Sequence, residues 1–162
     1  MQALLTLAAC LCHAELRKDV PMIQGASASP AHNVIARPTG QGRFQAEIEV
    51  RGGAILADEP VEAGGLGSGP TPYELLSAAL AACTAMTLRL YAERKGWKLG
   101  EVKVDLRMFR DGDEERIERK IAIAEPLAEE QRVRLAEIAS KTPVTKTLKR
   151  AYVIETDIVT GK

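Results

Sequence analysis

The sequence predicts an α+β fold in which antiparallel strands cover one long apolar helix. Two observations predict this class. Several short segments alternate apolar and polar side chains, which is the pattern of half-buried strands. Between them lies an uninterrupted apolar and alanine-rich run, from Leu75 to Leu90. The resulting order of elements is β-β-α-β-β-α-β, and strands of this antiparallel kind need a helix to cover one face.

The first two predicted strands form a hairpin. Apolar and polar side chains alternate from Phe44 to Arg51, which predicts a strand. Gly52-Gly53 is typical of a hairpin turn, and Ala54 to Ala57 is expected to return as the second strand. A glycine-rich loop, Asp58 to Ser68, then leads into the helix.

The long helix has a clear start and one cysteine near its centre. Thr71 suits the N-cap, Pro72 suits the first helical position, and Glu74 can reach back to close a capping box. The helix is expected to be about 36 Å long. Because it is apolar nearly all round, we expect it in a core or at a subunit interface. Cys83 lies near its middle, and we expect Met86, one turn later, to fill core rather than to line an apolar pocket.

The second half of the chain repeats the order of strands followed by helix. The predicted elements are a strand from Val102 to Met108, a turn at residues 111–113, a strand from Ile117 to Ile123, a helix from Leu127 to Lys141, a short helix from Val144 to Arg150 after Pro143, and a last strand from Tyr152 to Ile158.

We predict one domain, residues 34–162, preceded by an N-terminal arm or extension, residues 1–33. The apolar run from Ala3 to Leu11 is too short to span a bilayer and follows no basic residue, which disfavours a secretory signal. We expect a short helix or an upstream extension there. Deletion up to Pro21 is expected to leave the stability of the domain nearly unchanged.

Composition excludes several functions. The 162 residues carry 22 basic and 22 acidic side chains, and only 4% are aromatic, so we expect neither nucleic-acid binding nor a membrane partner. The three cysteines and two histidines fit neither a disulfide framework nor a zinc site. We therefore expect no metal and no other cofactor. Reduced cysteines favour a cytoplasmic protein.

Three segments together resemble the OsmC-like family, the osmotically inducible protein C and organic hydroperoxide resistance superfamily. They are the loop ADEP–GG (Ala57 to Gly65), the segment GPTPYELLSAALAACTAMTLRLYAERKGW (Gly69 to Trp97) and the tail EIASKTPVTKTL. The similarity covers about Arg43 to Thr160 and is greatest to a branch often fused behind an α/β-hydrolase domain. It implies an intertwined homodimer, with two central helices inside curved sheets and two sites at the subunit interface.

The resemblance also implies a chemistry. Family peroxidases reduce organic hydroperoxides with a cysteine on the central helix, and Cys83 matches that position. An arginine from the N-terminal hairpin region, matched by Arg43, promotes ionisation of the thiol. A glutamate near the start of the helix, matched by Glu74, holds that arginine. A second cysteine then resolves the sulfenic acid as a disulfide.

The sequence departs from this pattern at the resolving cysteine, which is replaced by Thr142. At the helix start the family glutamate directly follows the proline, whereas here Tyr73 occupies that position and Glu74 comes one residue later. Arg51 is a second candidate for the arginine. Capping alone also explains Glu74, and a solvated hairpin side chain also explains Arg43.

Two functions, and as a third alternative a purely structural dimer, remain from the sequence. The first is a thiol-dependent hydroperoxide reductase in which Cys83 works without a resolving cysteine and an external thiol recycles it. The second is a non-peroxidase module of the same fold that binds a small apolar or acyl ligand at the dimer-interface cleft. In that case Cys83 is a small buried packing residue.

Overall fold

The computed structural model describes residues 33–112, 114–150 and positions 154, 156 and 158. It confirms the α+β class. Its elements are β1 (Ile35–Pro38), β2 (Ala46–Val50), β3 (Gly53–Ala57), a 3-10 turn (Val61–Ala63), α1 (Pro72–Arg94), β4 (Val102–Asp111), β5 (Glu114–Ile123), α2 (Glu129–Ala139) and α3 (Pro143–Leu148).

The first sheet contains one strand more than the sequence predicts. Strands β1, β2 and β3 pair antiparallel in that order, with Ile35 opposite Glu49 and Ile48 opposite Ile55. Gly52, at the β2–β3 turn, has a φ of 89°, which glycine adopts without strain. The sequence did not predict strand β1, because the strand is only four residues long and all of its residues are exposed, so its side chains show no burial pattern.

The second sheet is a long hairpin of β4 and β5, which pair from Val102–Ile123 to Asp111–Glu114. Successive side chains of a strand point to opposite faces. One face carries oppositely charged neighbours such as Asp105 and Lys120, and the other carries apolar pairs such as Val104 and Ile121. Apolar side chains on that second face pack on the core that α1 helps to form.

Helix α1 packs on β4, α2 and α3. Its buried side chains are Leu80, Thr84, Leu88 and Ala92, each four residues after the last, so a single narrow stripe faces the core. By length and composition alone α1 could cross a membrane, with a mean hydropathy of 1.5. The core cluster consists of Leu88, Ala92, Leu99, Leu135 and Ala139, surrounded by partly buried Tyr91, Trp97, Val102, Ile121, Ile123, Leu127 and Ile138.

The opposite face of α1 is apolar and uncovered. Leu76 and Leu90 are more than a third exposed, and Met86 is 70% exposed. The expectation that Met86 fills the core is therefore wrong within one chain, because the described elements that pack on α1 lie on its other side. With Ala79 and Cys83 these residues are spaced by alternating steps of three and four, which is the repeat of a helix-packing seam. We call this set the α1 seam.

The first sheet also lacks cover. Among the described elements, β1, β2 and β3 pair with one another and make at most marginal contacts with the helices or the hairpin. Ile55 and Leu56 point to opposite faces of β3, and both remain more than a third exposed. In the described part of the chain neither face of this sheet is fully covered, although Ala57 at the end of β3 is buried.

The ends of the chain are only partly described. The predicted final strand from Tyr152 to Ile158 lies largely outside the described residues, and its three described positions have no strand pairing. The arm and linker of residues 1–32, with the short helix or extension predicted there, also lie outside the described residues.

Candidate functional site

A buried carboxylate builds the loop between β3 and α1. Asp58 is only 2% exposed. Its carboxylate accepts hydrogen bonds from the backbone amides of Glu59, Leu66 and Ser68 at 2.9–3.2 Å, and from the Ser68 hydroxyl at 2.8 Å. The side-chain amide of Gln45, the residue before β2, donates to the same hydroxyl at 2.7 Å and so ties the start of β2 to the loop. Asp58 therefore fixes the path by which the chain enters α1.

Two glycines allow this loop to close. A Cβ atom at Gly65 would stand 1.9 Å from the carbonyl oxygen of Glu59, and one at Gly69 would stand 2.3 Å from that of Leu56. Real side chains cannot approach backbone atoms so closely. Glycine is therefore needed at positions 65 and 69, because the backbone there passes too close to other backbone atoms to leave room for a side chain.

The folded loop favours ionised Asp58. Burial would raise the pKa of Asp58, but the hydrogen bonds from Ser68, Glu59 and Leu66 together outweigh it and hold the pKa below its usual value of 3.8. A lowered pKa in the folded state contributes stability above the unfolded value of 3.8, and this contribution is lost as the pH falls through the folded value.

We therefore expect Asp58→Asn to lower the melting temperature most at neutral pH. The difference from the natural chain should narrow as the pH falls below 3.8. Thermal unfolding followed by circular dichroism between pH 3 and 7 measures this. Glu62→Gln, on an exposed side chain of the same loop, is the control and should show no such trend. A pH-independent Asp58→Asn effect would contradict the assignment.

The predicted start of α1 is confirmed. The Thr71 hydroxyl accepts from the Glu74 amide at 3.2 Å, and the Glu74 carboxylate accepts from the Thr71 amide at 2.8 Å, which is a capping box. These hydrogen bonds lower the pKa of Glu74. Glu74 and Cys83 are nine residues apart, so they lie on opposite faces of the helix and about 14 Å apart along its axis. In the described part of the chain, Glu74 makes the hydrogen bonds of the capping box.

Tyr73 occupies the position after the helix-start proline and is bound to the hairpin. Its hydroxyl accepts from Nη2 of Arg110 at 2.7 Å. Arg110 in turn donates to the carboxylate of Glu115 at 2.5 and 3.0 Å. The hydrogen bonds to Glu115 and the charges around it raise the pKa of Arg110. The N-terminus of α1 is thereby anchored to the end of the second sheet.

Arg43 lies in the exposed turn before β2. Its guanidinium stands 5.3 Å from the centre of the Phe44 ring. A Cβ atom at Gly64 would be 3.6 Å from that ring, and one at Gly42 would meet Leu66 at 2.8 Å, so the turn packs against the glycine loop. No hydrogen bond or ion pair joins Arg43 to Cys83 or Glu74 in the described part of the chain, and their joint role stays a prediction.

Cys83 is a free, half-buried thiol. One residue turns an α-helix by about 100°, so Cys83 does not share the buried stripe of its neighbour Thr84 and lies on the α1 seam. Its position combines partial access with apolar neighbours along the seam. A second helix packed on the seam would enclose the thiol.

A partly buried arginine and three threonines, one of which follows Cys83 in the chain, connect four elements. Nη1 of Arg119, on β5, donates to the hydroxyls of Thr84 on α1 at 3.0 Å and Thr145 on α3 at 3.1 Å. Nη2 donates to the carbonyl of Ala139, the last residue of α2, at 2.9 Å. Thr142, which stands in place of the resolving cysteine, is fully buried, and its hydroxyl lies 2.7 Å from that of Thr145. We call these four side chains the arginine–threonine cluster.

The sequence reasoning missed Arg119, although a signal was present. In β5, period-two alternation places Arg119 on the same face as Ile117 and Ile121. A charged side chain on an apolar strand face is uncommon and calls for buried partners. Arg110 and Glu115 were missed too, and here the sequence gives no signal, since exposed charges of this kind are common.

Comparisons with known proteins give the family and the fold. The family model described as OsmC-like protein matches residues 65–157. The chain is similar in structure to an OsmC-like protein from Mycoplasma pneumoniae, with a TM-score of 0.60, 17% identity and coverage of 75% of this chain and 89% of that one.

Two further neighbours are organic hydroperoxide resistance proteins. The one from Legionella pneumophila has a TM-score of 0.54 and 20% identity and covers 74% of this chain and 90% of its own. OhrB of Bacillus subtilis has a TM-score of 0.52 and 21% identity, and the match covers 73% of this chain and 90% of that one. No curated protein matches the chain.

Proposed function

Since this chain belongs to the OsmC-like family, we propose that it is a thiol-dependent organic hydroperoxide reductase with Cys83 as its nucleophile. One observation carries the proposal: the free, half-buried thiol lies in the middle of the central helix, on an apolar seam that a partner would enclose. Two neighbours of the same fold are named as organic hydroperoxide resistance proteins.

The proposed reaction needs only the thiol and an external reductant. The Cys83 thiolate attacks the terminal oxygen of a hydroperoxide, the O–O bond breaks, and the alcohol leaves after taking up a proton. The sulfenic acid then reacts with an external thiol, releasing water and leaving a mixed disulfide. A second external thiol restores Cys83 and leaves as part of a disulfide. Thr142 takes no part, because a hydroxyl cannot form a disulfide.

We propose that the active unit is a homodimer. Among the described residues of one chain, apolar side chains of the α1 seam and of the first sheet remain exposed, and contact between two copies would bury them. Because Glu74 and Cys83 lie on opposite faces of one helix, Arg43 and Glu74 of the second chain are the candidates to reach the thiol. Arg51 is the alternative arginine.

We also propose that the protein is cytoplasmic and belongs to the branch often fused to an α/β-hydrolase domain. The resemblance of the chain to that branch supports the assignment to the branch, and the free thiol of Cys83 supports a reducing compartment.

A second function, binding of a small apolar or acyl ligand without peroxidase chemistry, is favoured by Thr142. This residue is fully buried and hydrogen-bonded to Thr145, so its position holds a polar packing cluster in place of a second thiol. In that case Cys83 would pack against the second helix without reacting.

Peroxide oxidation decides between the two functions. We expect one equivalent of cumene hydroperoxide to add one oxygen atom to Cys83, detected by intact-protein mass spectrometry, and Cys83→Ser to block the addition. Because the chain has no resolving thiol there, the sulfenic acid should persist or over-oxidise. Arg43→Ala should slow the first oxidation at least about tenfold if Arg43 stabilises the thiolate.

Arg51→Ala tests the alternative arginine, and Arg132→Ala, on the exposed side of α2, is the control. An unmodified Cys83 under conditions that oxidise free cysteine would end the peroxidase proposal in favour of ligand binding.

A further inference from the structure

Arg119 is a partly buried cation whose described partners are all neutral. It donates to two hydroxyls and one carbonyl, and no ion pair in the described part of the chain includes it. Burial alone accounts for the lowering of its pKa. A guanidinium has five N–H donors, so the three described hydrogen bonds leave capacity for another acceptor. A charge that is partly withdrawn from water is stabilised by an opposite charge.

A pocket of about 470 Å³ lies beside this cation. Arg119 and Thr145 supply polar atoms to its lining, and Leu80, Ile117 and Leu148 supply apolar ones. Pockets that combine a few fixed polar groups with apolar walls are typical of small-molecule sites. This combination suits a ligand with one polar end and one apolar end.

The other charges around the pocket make it positive. Arg116 and Lys149 also line it, and the single carboxylate there, Glu115, is paired with Arg110 at 2.5 Å. Arg116 is itself paired with Glu118 at 3.1 Å. Arg119 and Lys149 thus remain as the lining cations without a described carboxylate partner, and a negatively charged group would complement them.

We infer that this pocket binds a small amphipathic carboxylate, with its carboxylate at Arg119 and its alkyl chain along Leu80, Ile117 and Leu148. A guanidinium matches a carboxylate through charge-assisted hydrogen bonds. The inference goes beyond the proposed peroxidase function, since it invokes no reaction at Cys83. Leu80 lines this pocket one turn before Cys83, so the site lies on the side of α1 that faces the arginine–threonine cluster.

Octanoate is the probe for this site. We expect calorimetry on the full chain to detect octanoate binding, and both octanol and acetate to bind at least about tenfold more weakly, since each lacks one half of the recognition. Methyl-resolved NMR of the natural chain should place the octanoate-dependent shifts at Leu80, Ile117 and Leu148. Shifts confined to the separate apolar groove at Ile123, Leu127 and Val133 would overturn the inference.

Two variants test whether Arg119 binds the carboxylate of octanoate. Arg119→Met should reduce octanoate affinity at least about tenfold, whereas Lys120→Met should not. Lys120 is the next residue of β5, is exposed and points to the opposite face, so it is a matched control. Folded Arg119→Met that binds octanoate as the natural chain does would refute the site.

Arg119→Met also loses contacts to α1, α2 and α3, so a variant that leaves these contacts in place is needed. Leu148→Asp keeps Arg119 and its partners but places a like charge beside the ligand, and it should abolish octanoate binding. Undiminished binding by folded Leu148→Asp would contradict the site. Cys83→Ser should bind octanoate as the natural chain does. The result for octanoate binding is therefore independent of the result for the peroxidase proposal.

Discussion

Met86→Asp is expected to convert the proposed homodimer into monomers at micromolar concentration. In one chain Met86 is 70% exposed and lies at the centre of the α1 seam with Cys83. Obligate interfaces bury on the order of 2,000 Å² or more, and a carboxylate without a partner is costly to bury there. The dimer would bury two such carboxylates, so we expect the dissociation constant to rise at least about a hundredfold. Sedimentation velocity measures the change.

Val133→Asp is the matched control for this experiment. Val133 is also an exposed apolar side chain, at 52%, but it lies on α2. It should leave the dimer intact. A folded Met86→Asp dimer would refute the role of the α1 seam, and dissociation by Val133→Asp alone would move the interface to α2. A stable, folded monomer of the natural chain would refute the dimer altogether.

Thr142→Cys is expected to create an internal disulfide with Cys83 and to accelerate peroxide turnover. Thr142 is fully buried and belongs to the cluster that includes Thr84, the residue after Cys83. A disulfide requires Cα atoms within about 7 Å, which is the geometry that the family resemblance implies. With thiols at positions 83 and 142, peroxide should remove two hydrogen atoms from the protein, one from each of these thiols, without adding oxygen. Turnover with dithiothreitol should rise about tenfold or more, because the sulfenic acid gains a rapid exit.

Thr142→Ser is the control for the loss of the threonine methyl group, because it retains the hydroxyl that contacts Thr145. It should behave as the natural chain does toward peroxide. A Thr142→Cys protein that folds yet keeps both thiols free after peroxide would show that positions 83 and 142 do not meet. Peptide mapping without reduction identifies the linkage directly.

The elements that the sequence predicted well are those governed by short-range interactions. The start of α1 depends on hydrogen bonds between Thr71 and Glu74, three residues apart, so the local sequence suffices to find it. The hairpin of β4 and β5 follows from period-two alternation and a turn between neighbouring segments. The OsmC-like resemblance extended this local information to the arrangement of sheets and helices, and the structure and the family match agree with it.

Site residues were harder to predict because their contacts span the chain. Glu74 was a candidate beside the thiol, but helical geometry places it on the face opposite Cys83 within one chain. Arg43 was a candidate because it matches the family arginine of the N-terminal hairpin region, and its guanidinium lies over the ring of the neighbouring Phe44. In the proposed dimer their roles would depend on a second chain, whose position a single sequence does not specify.

The sequence by itself determined the class of fold, the capped central helix with Cys83 near its middle, and the absence of a cysteine at position 142. These features rest on residue identity and on interactions within a few positions. Only the tertiary structure decided that Arg119 meets Thr84 and Thr145, which lie 35 and 26 residues away along the chain. The structure also decided that none of the described elements covers the face of α1 that carries Cys83. The physical reason is that packing chooses which faces of distant elements meet, and local propensity carries no information about that choice.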